Sequence, residues 1–388
     1  MVEILARLPA RSVYRFKCVA KAWRDLIDDP LNRKKLPQTL EGFFFTDNSD
    51  STVEDFDFIN LLPRSVPLDI DPSSSFLTKR PEIEHLLFSD SCNGLLFEHV
   101  RKSNSRAMGS SSNMSESRTH LMYWLLSTTN RLFRLVYLFL AFDPAVSSHF
   151  HLIHFQKEGL DEAEPGDDQV FVLSVCAYSS EIGTWSHSQL NWNEQGQLEG
   201  WCTQCYLSYW SSKHAFFNGI LHLLPSSLHH DQIVALDVQG KTQRMITIPA
   251  AAEGRRWNYN GYISHSQGRL HYINNEVDAH DCKRRYDLSI WVLQDYDRQE
   301  WRLKDTVSFL KLSGKKSCTG STSDFLVVAI HQDCNVVFIL QPLNRLIAYD
   351  MDRKEVSVIA TFEHDNLGVR IAPYVPYFLE SQALANKL

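Results

Sequence analysis

The chain has 388 residues, 44% hydrophobic and 22% charged, the proportions of an ordinary folded protein rather than a disordered one. Its formal net charge of −7 is unevenly spread. Residues 1–36 carry nine Lys/Arg against four Asp/Glu, and the remainder carries 30 against 42. A basic head on an acidic body argues against a general nucleic-acid coat and for a local acidic partner of the head. The eight cysteines have no framework spacing, so they read as reduced thiols of a cytoplasmic and/or nuclear protein. The most apolar run, Leu132 to Phe142, is short and contains Arg134, so it reads as buried strand rather than membrane span.

In chain order, the head comes first. Pro9 ends a first short helix, because the residue before a proline is pushed out of the helical region. Val13, Phe16 and Val19 then recur every three residues, and Trp23, Leu26 and Ile27 follow at three and four, the period of helices. Asp28, Asp29 and Pro30 are a turn signal that closes the segment. A 36-residue helical unit buries too little surface to stand alone, so its apolar stripes need a partner.

The residues Ile4-Leu5, Arg7-Leu8-Pro9, Phe16-Lys17-Cys18-Val19, Lys21, Trp23-Arg24 and Leu26-Ile27 make this head resemble an F-box, in its plant form. The motif starts inside its first helix and reads as N-terminally truncated. The resemblance implies docking on a Skp-type adaptor, and through it on a cullin. It implies a docking face of Leu5, Leu8, Pro9, Val13, Phe16, Val19 and Trp23, with Arg15, Lys17 and Lys21 as rim cations aiding encounter.

Residues 37–84 form a linker. Pro63, Pro67, Pro72 and Pro81 prevent long helices, and Gly42 to Phe45 is a strand-like run that the linker donates to the body.

From His85 onward short apolar runs alternate with Gly, Asn, Asp and Ser turns. One phrase returns as Cys92-Asn93-Gly94-Leu95, Phe217-Asn218-Gly219-Ile220 and Ser266-Gln267-Gly268-Arg269, with a looser copy at Leu343-Asn344-Arg345. Each reads as a tight turn feeding a strand, because Asn and Gly accept the positive φ of such turns. A second phrase is an apolar strand followed by a short polar turn and another strand. It ends in Asp at Ile233–Asp237 and Ile347–Asp350, and recurs at Leu288–Leu293 and, more weakly, Val170–Tyr178. Gly219 and Gly268 lie one kelch-like period apart, roughly 50 residues. The fold expected is mainly β: F-box helices followed by a β-propeller of roughly six blades over 85–375, with a C-terminal tail at 376–388. The Ser-rich stretch 101–118 reads as a disordered insert. A kelch-like or F-box-associated propeller often follows the head in plant F-box proteins, so the two readings support one another.

The remaining motifs have plain readings. Cys202 and Cys205 lack the further ligands zinc needs. His149 and His151 fall on one face of a strand whose Phe150 and Leu152 point inward, and His154 follows; no metal is expected there. Ser313-Gly314-Lys315-Lys316-Ser317 lacks the first glycine of a phosphate loop, since Phe309 occupies its place. A DNA-binding helix over Lys21–Asp28 would carry Asp25 and Asp28 against phosphate. No catalytic residue, cofactor, nucleic acid or membrane partner is therefore expected. The resemblance to F-box proteins implies a non-catalytic substrate receptor of a ubiquitin ligase, holding an unidentified target protein on the propeller. The rival is a propeller interaction protein whose F-box is degenerate and joins no ligase.

Overall fold

The computed structural model describes residues 1–5, 13, 16, 19–29, 32, 40–46, 56–61, 83–93, 95–102, 109–116, 122–129, 137–144, 146–147, 149–158, 172–189, 214–224, 232–258, 261–278, 280, 285–314, 325–341, 345–362 and 370–375. Among the described residues of the head, helices α1 (Val2–Leu5) and α2 (Lys21–Asp28) precede β1 (Gly42–Thr46) and β2 (Phe56–Asn60). Among the described residues five blades of antiparallel strands follow. The first holds β3 (Ile83–Cys92), β4 (Leu95–Lys102), β5 (Gly109–Glu116) and β6 (Met122–Thr129). The second holds β7 (Tyr137–Ala141), β8 (His151–Glu158), β9 (Val172–Ser179) and β10 (Thr184–Gln189). The third holds β11 (His214–Phe217), β12 (Ile220–Leu223), β13 (Gln232–Leu236) and β14 (Thr242–Thr247). The fourth holds β15 (Arg255–Trp257), β16 (Tyr262–Ser266), β17 (Arg269–Asp278), β18 (Arg285–Asp295) and β19 (Glu300–Val307), and is followed by α3 (Phe309–Ser313). In this blade β15 and β16 both pair with β17, and β16 takes the place of the first strand of the other blades. The fifth holds β20 (Leu326–Ile330), β21 (Val336–Gln341), β22 (Arg345–Asp350) and β23 (Glu355–Thr361). Finally β24 (Arg370–Tyr374) pairs with β1, and β1 with β2, as a three-stranded closing sheet.

Each sheet shares an apolar core with the next. Leu95 of the first blade packs with Leu140, Phe142 and Leu152 of the second. Ile153 and Val175 of the second meet Leu221 and Val234 of the third. Ile233 and Ile246 of the third meet Ile263 and Tyr272 of the fourth. Ile290 and Val307 of the fourth meet Val337 and Tyr349 of the fifth. Phe338 and Leu346 of the fifth meet Phe43 and Ile371 of the closing sheet. The Ser91 hydroxyl then donates to the Pro373 carbonyl at 3.2 Å, joining the closing sheet to the first blade. The sheets therefore form a closed ring, a β-propeller. The expected count of roughly six compares, among the described residues, with five blades plus the three-stranded sheet that completes the circle.

Burial falls from the axis outward. Inner β20 is buried at four of its five residues, whereas outer β23 has none buried. Each Leu, Ile or Val packed between blades contributes roughly 1.5–3 kcal/mol relative to exposure.

The turn chemistry follows the two repeated phrases. Asn93, Asn218 and Gln267 have φ of 46°, 53° and 51°, at the turns joining first to second strands. Gly219 and Gly268 continue with φ of 77° and 70°, as two-residue hairpins of this hand require. The second phrase is the third-to-fourth strand turn. Asp237 Oδ1 accepts the backbone N–H of Gln239 and Lys241, both at 2.9 Å. Asp295 Oδ1 does the same for Asp297 and Arg298, and Asp350 Oδ1 for Asp352 and Arg353. The recurring Asp is a turn-builder, because its carboxylate satisfies donors the turn would otherwise leave open.

Three expectations need correction. The linker 37–84 contributes two strands to the ring and the start of a third, because β1 and β2 lie in the closing sheet and β3 begins at Ile83. The Ser-rich stretch is not disordered throughout: Gly109–Glu116 is β5, paired with β6 and, at two positions, with β4. Ladder hydrogen bonds come from the backbone, so a serine run can pair where neighbouring strands offer the register. The looser phrase at 343–345 precedes β22, the third strand of its blade, and is out of phase with the others. The tail 376–388 lies outside the described residues.

Candidate protein-interaction site

The head is a small core with an apolar exterior. Leu5, Val13 and Ile27 are 1%, 0% and 0% exposed and pack on one another, with Phe16, Trp23 and Leu26 half-buried around them. Phe16 and Trp23 stack with ring centroids 5.0 Å apart. Ala20 is extended (φ −159°), and its carbonyl accepts from the N–H of Trp23 and Arg24, so α2 starts sharply there. At its far end the Asp29 N–H bonds the Asp25 carbonyl. Asn32 Nδ2 reaches back to the Leu26 carbonyl at 3.0 Å and secures the chain as it leaves.

The expected docking residues divide. Leu5 and Val13, expected in the docking face, are buried in the core of the head with Ile27. Val19 is 66% exposed, Phe16 and Trp23 keep part of their rings accessible, and Ile4, not singled out for the face, is 64% exposed. Val13 is buried and Phe16 half-buried, whereas Val19 lies in a turn, its N–H bonded to the Phe16 carbonyl, and is exposed. Lys21 is exposed beside this surface. Leu8, Pro9, Arg15 and Lys17 lie outside the described residues.

In the ring, the C-terminal ends of the inner strands gather at one end. Asn93 Nδ2 and Cys92 Sγ both donate to the Phe142 carbonyl, at 2.7 and 3.2 Å. Phe217 stacks on His265 at 5.5 Å. Ser266 Oγ donates to the His331 carbonyl at 2.7 Å, and the Gln267 N–H to the Gln332 carbonyl at 2.7 Å. Gln332 Nε2 reaches Asn93 Oδ1 at 3.4 Å, linking the fifth blade to the first. The polar groups of this tight-turn end are thus largely engaged with one another.

Two buried histidines are held neutral. His222 is 1% exposed, with Nε2 2.9 Å from the Tyr296 hydroxyl, and burial pushes its pKa down to about 4. His271 presents Nδ1 to the Arg269 carbonyl at 3.0 Å and Nε2 to the Lys304 ammonium at 3.4 Å. The first contact needs an N–H donor and the second an acceptor, so the ring is the neutral Nδ1–H tautomer. Burial, with Lys304 next, holds its pKa near 4. His222 thus ties the third blade to the fourth, whereas the contacts of His271 lie within the fourth.

Of the histidines noted in sequence, Phe150 and Leu152 beside them are buried as expected, and burial lowers the pKa of His151 and His154. Among the described residues no three His, Cys, Asp or Glu side chains are grouped to hold a metal. Cys202 and Cys205 lie outside the described residues. Sequence reasoning missed the Cys176 Sγ to His187 Nδ1 contact of 3.0 Å, which depends on the β9–β10 register placing the two directly opposite. Among the described residues no helix is long and apolar enough to cross a membrane.

A propeller led by a compact helical head with accessible apolar side chains is the architecture of a propeller-bearing F-box protein. The sequence matches the F-box domain family over residues 1–35 and the family described as "F-box protein At3g26010-like, beta-propeller" over residues 142–370. The chain belongs to this family of F-box β-propeller proteins. It is 24% identical to the F-box protein At2g23160 of Arabidopsis thaliana, across 78% of this chain and 96% of that protein. It is likewise 24% identical to F-box only protein 12 of Arabidopsis thaliana, across 87% of this chain and 70% of that protein. Among solved structures it resembles an oligogalacturonate lyase in complex with manganese, with a TM-score of 0.38 and 11% identity over 81% of this chain and 74% of that one.

Proposed function

We propose that the chain is the substrate-recognition subunit of a Skp-cullin-F-box ubiquitin ligase. The head docks on a Skp-type adaptor and through it on a cullin, and the propeller holds a target protein. The observation that carries this reading is the F-box match over residues 1–35 on a head whose Ile4 and Val19 face outward. Apolar side chains left exposed on so small a unit are surface an interface would cover. The docking face would comprise Ile4, Phe16, Val19 and Trp23, with Leu8 and Pro9 beside them. Arg15, Lys17 and Lys21 would steer an acidic adaptor.

The protein performs no chemistry of its own in this scheme. It raises the effective concentration of target lysines near a separate charged enzyme, and that proximity accounts for the rate gain. The setting would be cytoplasmic and/or nuclear. Co-purification with a recombinant Skp-type adaptor tests the reading. Wild type should retain the adaptor and Leu8→Ala plus Pro9→Ala should lose it; equal retention, or none by either, overturns it.

A further inference from the structure

The two ends of the ring are not equivalent, and the chain's route decides which end the head can reach. Gly42 of β1 lies opposite Tyr374 of β24, and the Glu41 N–H donates to the Tyr374 carbonyl at 2.9 Å. Tyr374 is the C-terminal end of an inner strand, and Pro373 just before it contacts Ser91 at the C-terminal end of β3. The chain from the head therefore joins the ring at the tight-turn end. Leu40, 3% exposed, is already fixed in the core of the closing sheet.

On the other side, Asn32 is still tied to α2. Only residues 33–39 separate these two anchors. Fully extended at about 3.5 Å per residue, they span less than about 30 Å. The ring is comparably deep, since β17 alone has ten residues at about 3.3 Å each. To reach the opposite end the tether would also have to pass outside β2, the outer strand of the closing sheet. Its length does not permit both.

We propose that the tight-turn end of the propeller is its adaptor-facing side, and that the opposite end, where α3 and the segment after β14 lie, stands clear of the adaptor. The strand directions place α3 there, because β19 runs away from the tight-turn end before Phe309 begins the helix. Strands β8, β10 and β19 end, and β9, β11 and β20 begin, at this opposite end, whereas turns such as 218–219, 267–268 and 296–299 lie at the tight-turn end. The adaptor part rests on the proposed ligase function, whereas the placement of the head does not.

The test is site-specific photocrosslinking in the full chain. A benzophenone amino acid replaces Asn60 or Arg353 at the tight-turn end, and Glu253 or Leu310 at the opposite end; all four positions are exposed. Irradiation of the chain alone should give intramolecular crosslinks to residues 1–36 from Asn60 or Arg353 and none from Glu253 or Leu310. Adding a purified Skp-type adaptor should shift crosslinks onto the adaptor from the same two positions. Crosslinks to the head or adaptor from Glu253 or Leu310, or none from Asn60 and Arg353, overturn the inference. An adaptor that fails to bind would sink the ligase reading alone, because the intramolecular crosslinks still report the side on which the head hangs.

Discussion

Gly42 and Tyr374 face each other across β1 and β24, so the residue where the chain joins the ring is paired with the residue where it leaves. This pairing makes the propeller's integrity depend on a segment that sequence patterning assigned to a linker. A Cβ at Gly42 would collide with the Phe58 ring and the Ile59 carbonyl.

Gly42→Ala should therefore lower stability by about 1–3 kcal/mol, the usual scale of overpacking. Thermal unfolding should show the loss, and hydrogen exchange should show it first in β1, β2 and β24. Gly219→Ala meets no atom within 4 Å but sits at φ 77°, so its cost should come from backbone strain alone, about 1–2 kcal/mol.

Asp237→Ala should release the amides of Gln239 and Lys241 and destabilise the third blade by about 1–2 kcal/mol. Faster hydrogen exchange at these two amides, with little change in blades two and five, would mark the effect as local. Asp350→Ala should do the same at Asp352 and Arg353.

Stability should fall on mild acidification. His222 and His271 have folded-state pKa values near 4, below the ordinary 6.5, chiefly through burial. The unfolded chain takes up protons first, so their contribution is complete above about 6.5 and is lost as pH falls toward about 4. Urea midpoints measured across that window should decline. His222→Gln should flatten the decline, even though its starting stability is lower.

On the head, Val19→Asp should abolish adaptor capture while leaving the melting temperature within about 2 °C, because surface substitutions usually change stability by under about 0.5 kcal/mol. Leu5→Ala should instead destabilise the head by about 2–5 kcal/mol. Far-ultraviolet circular dichroism of residues 1–36 attached to the full chain, read beside the pull-down, separates the two outcomes.

Much of the ring was legible because its turns are written locally. Asn218-Gly219 and Asp237 announce a backbone shape that a few neighbouring residues determine. Of the closing sheet only the strand from Gly42 to Phe45 was; its pairing was not, since Phe43 and Phe44 find their partners at Pro373 and Ala372, far beyond any local pattern. Nor was β5, because Ser110 and Ser112 pair through backbone groups that every residue type carries. In the head, helical period identified an apolar stripe but not which part of it the fold would keep for itself. Val13 and Val19 are the same residue type six positions apart in one pattern, yet one is core and the other surface.

The joining of β1 to β24 also orders events during synthesis. β1 and β2 leave the ribosome early, carrying Phe43 and Phe44, which are 0% and 1% exposed once the ring is closed. The other strand partner of β1, β24, is translated after all five blades, so until then two aromatic side chains and an open sheet edge wait without their final cover. Nascent chains stalled before residue 370 should accordingly be held by chaperones, and release should follow only when β24 emerges.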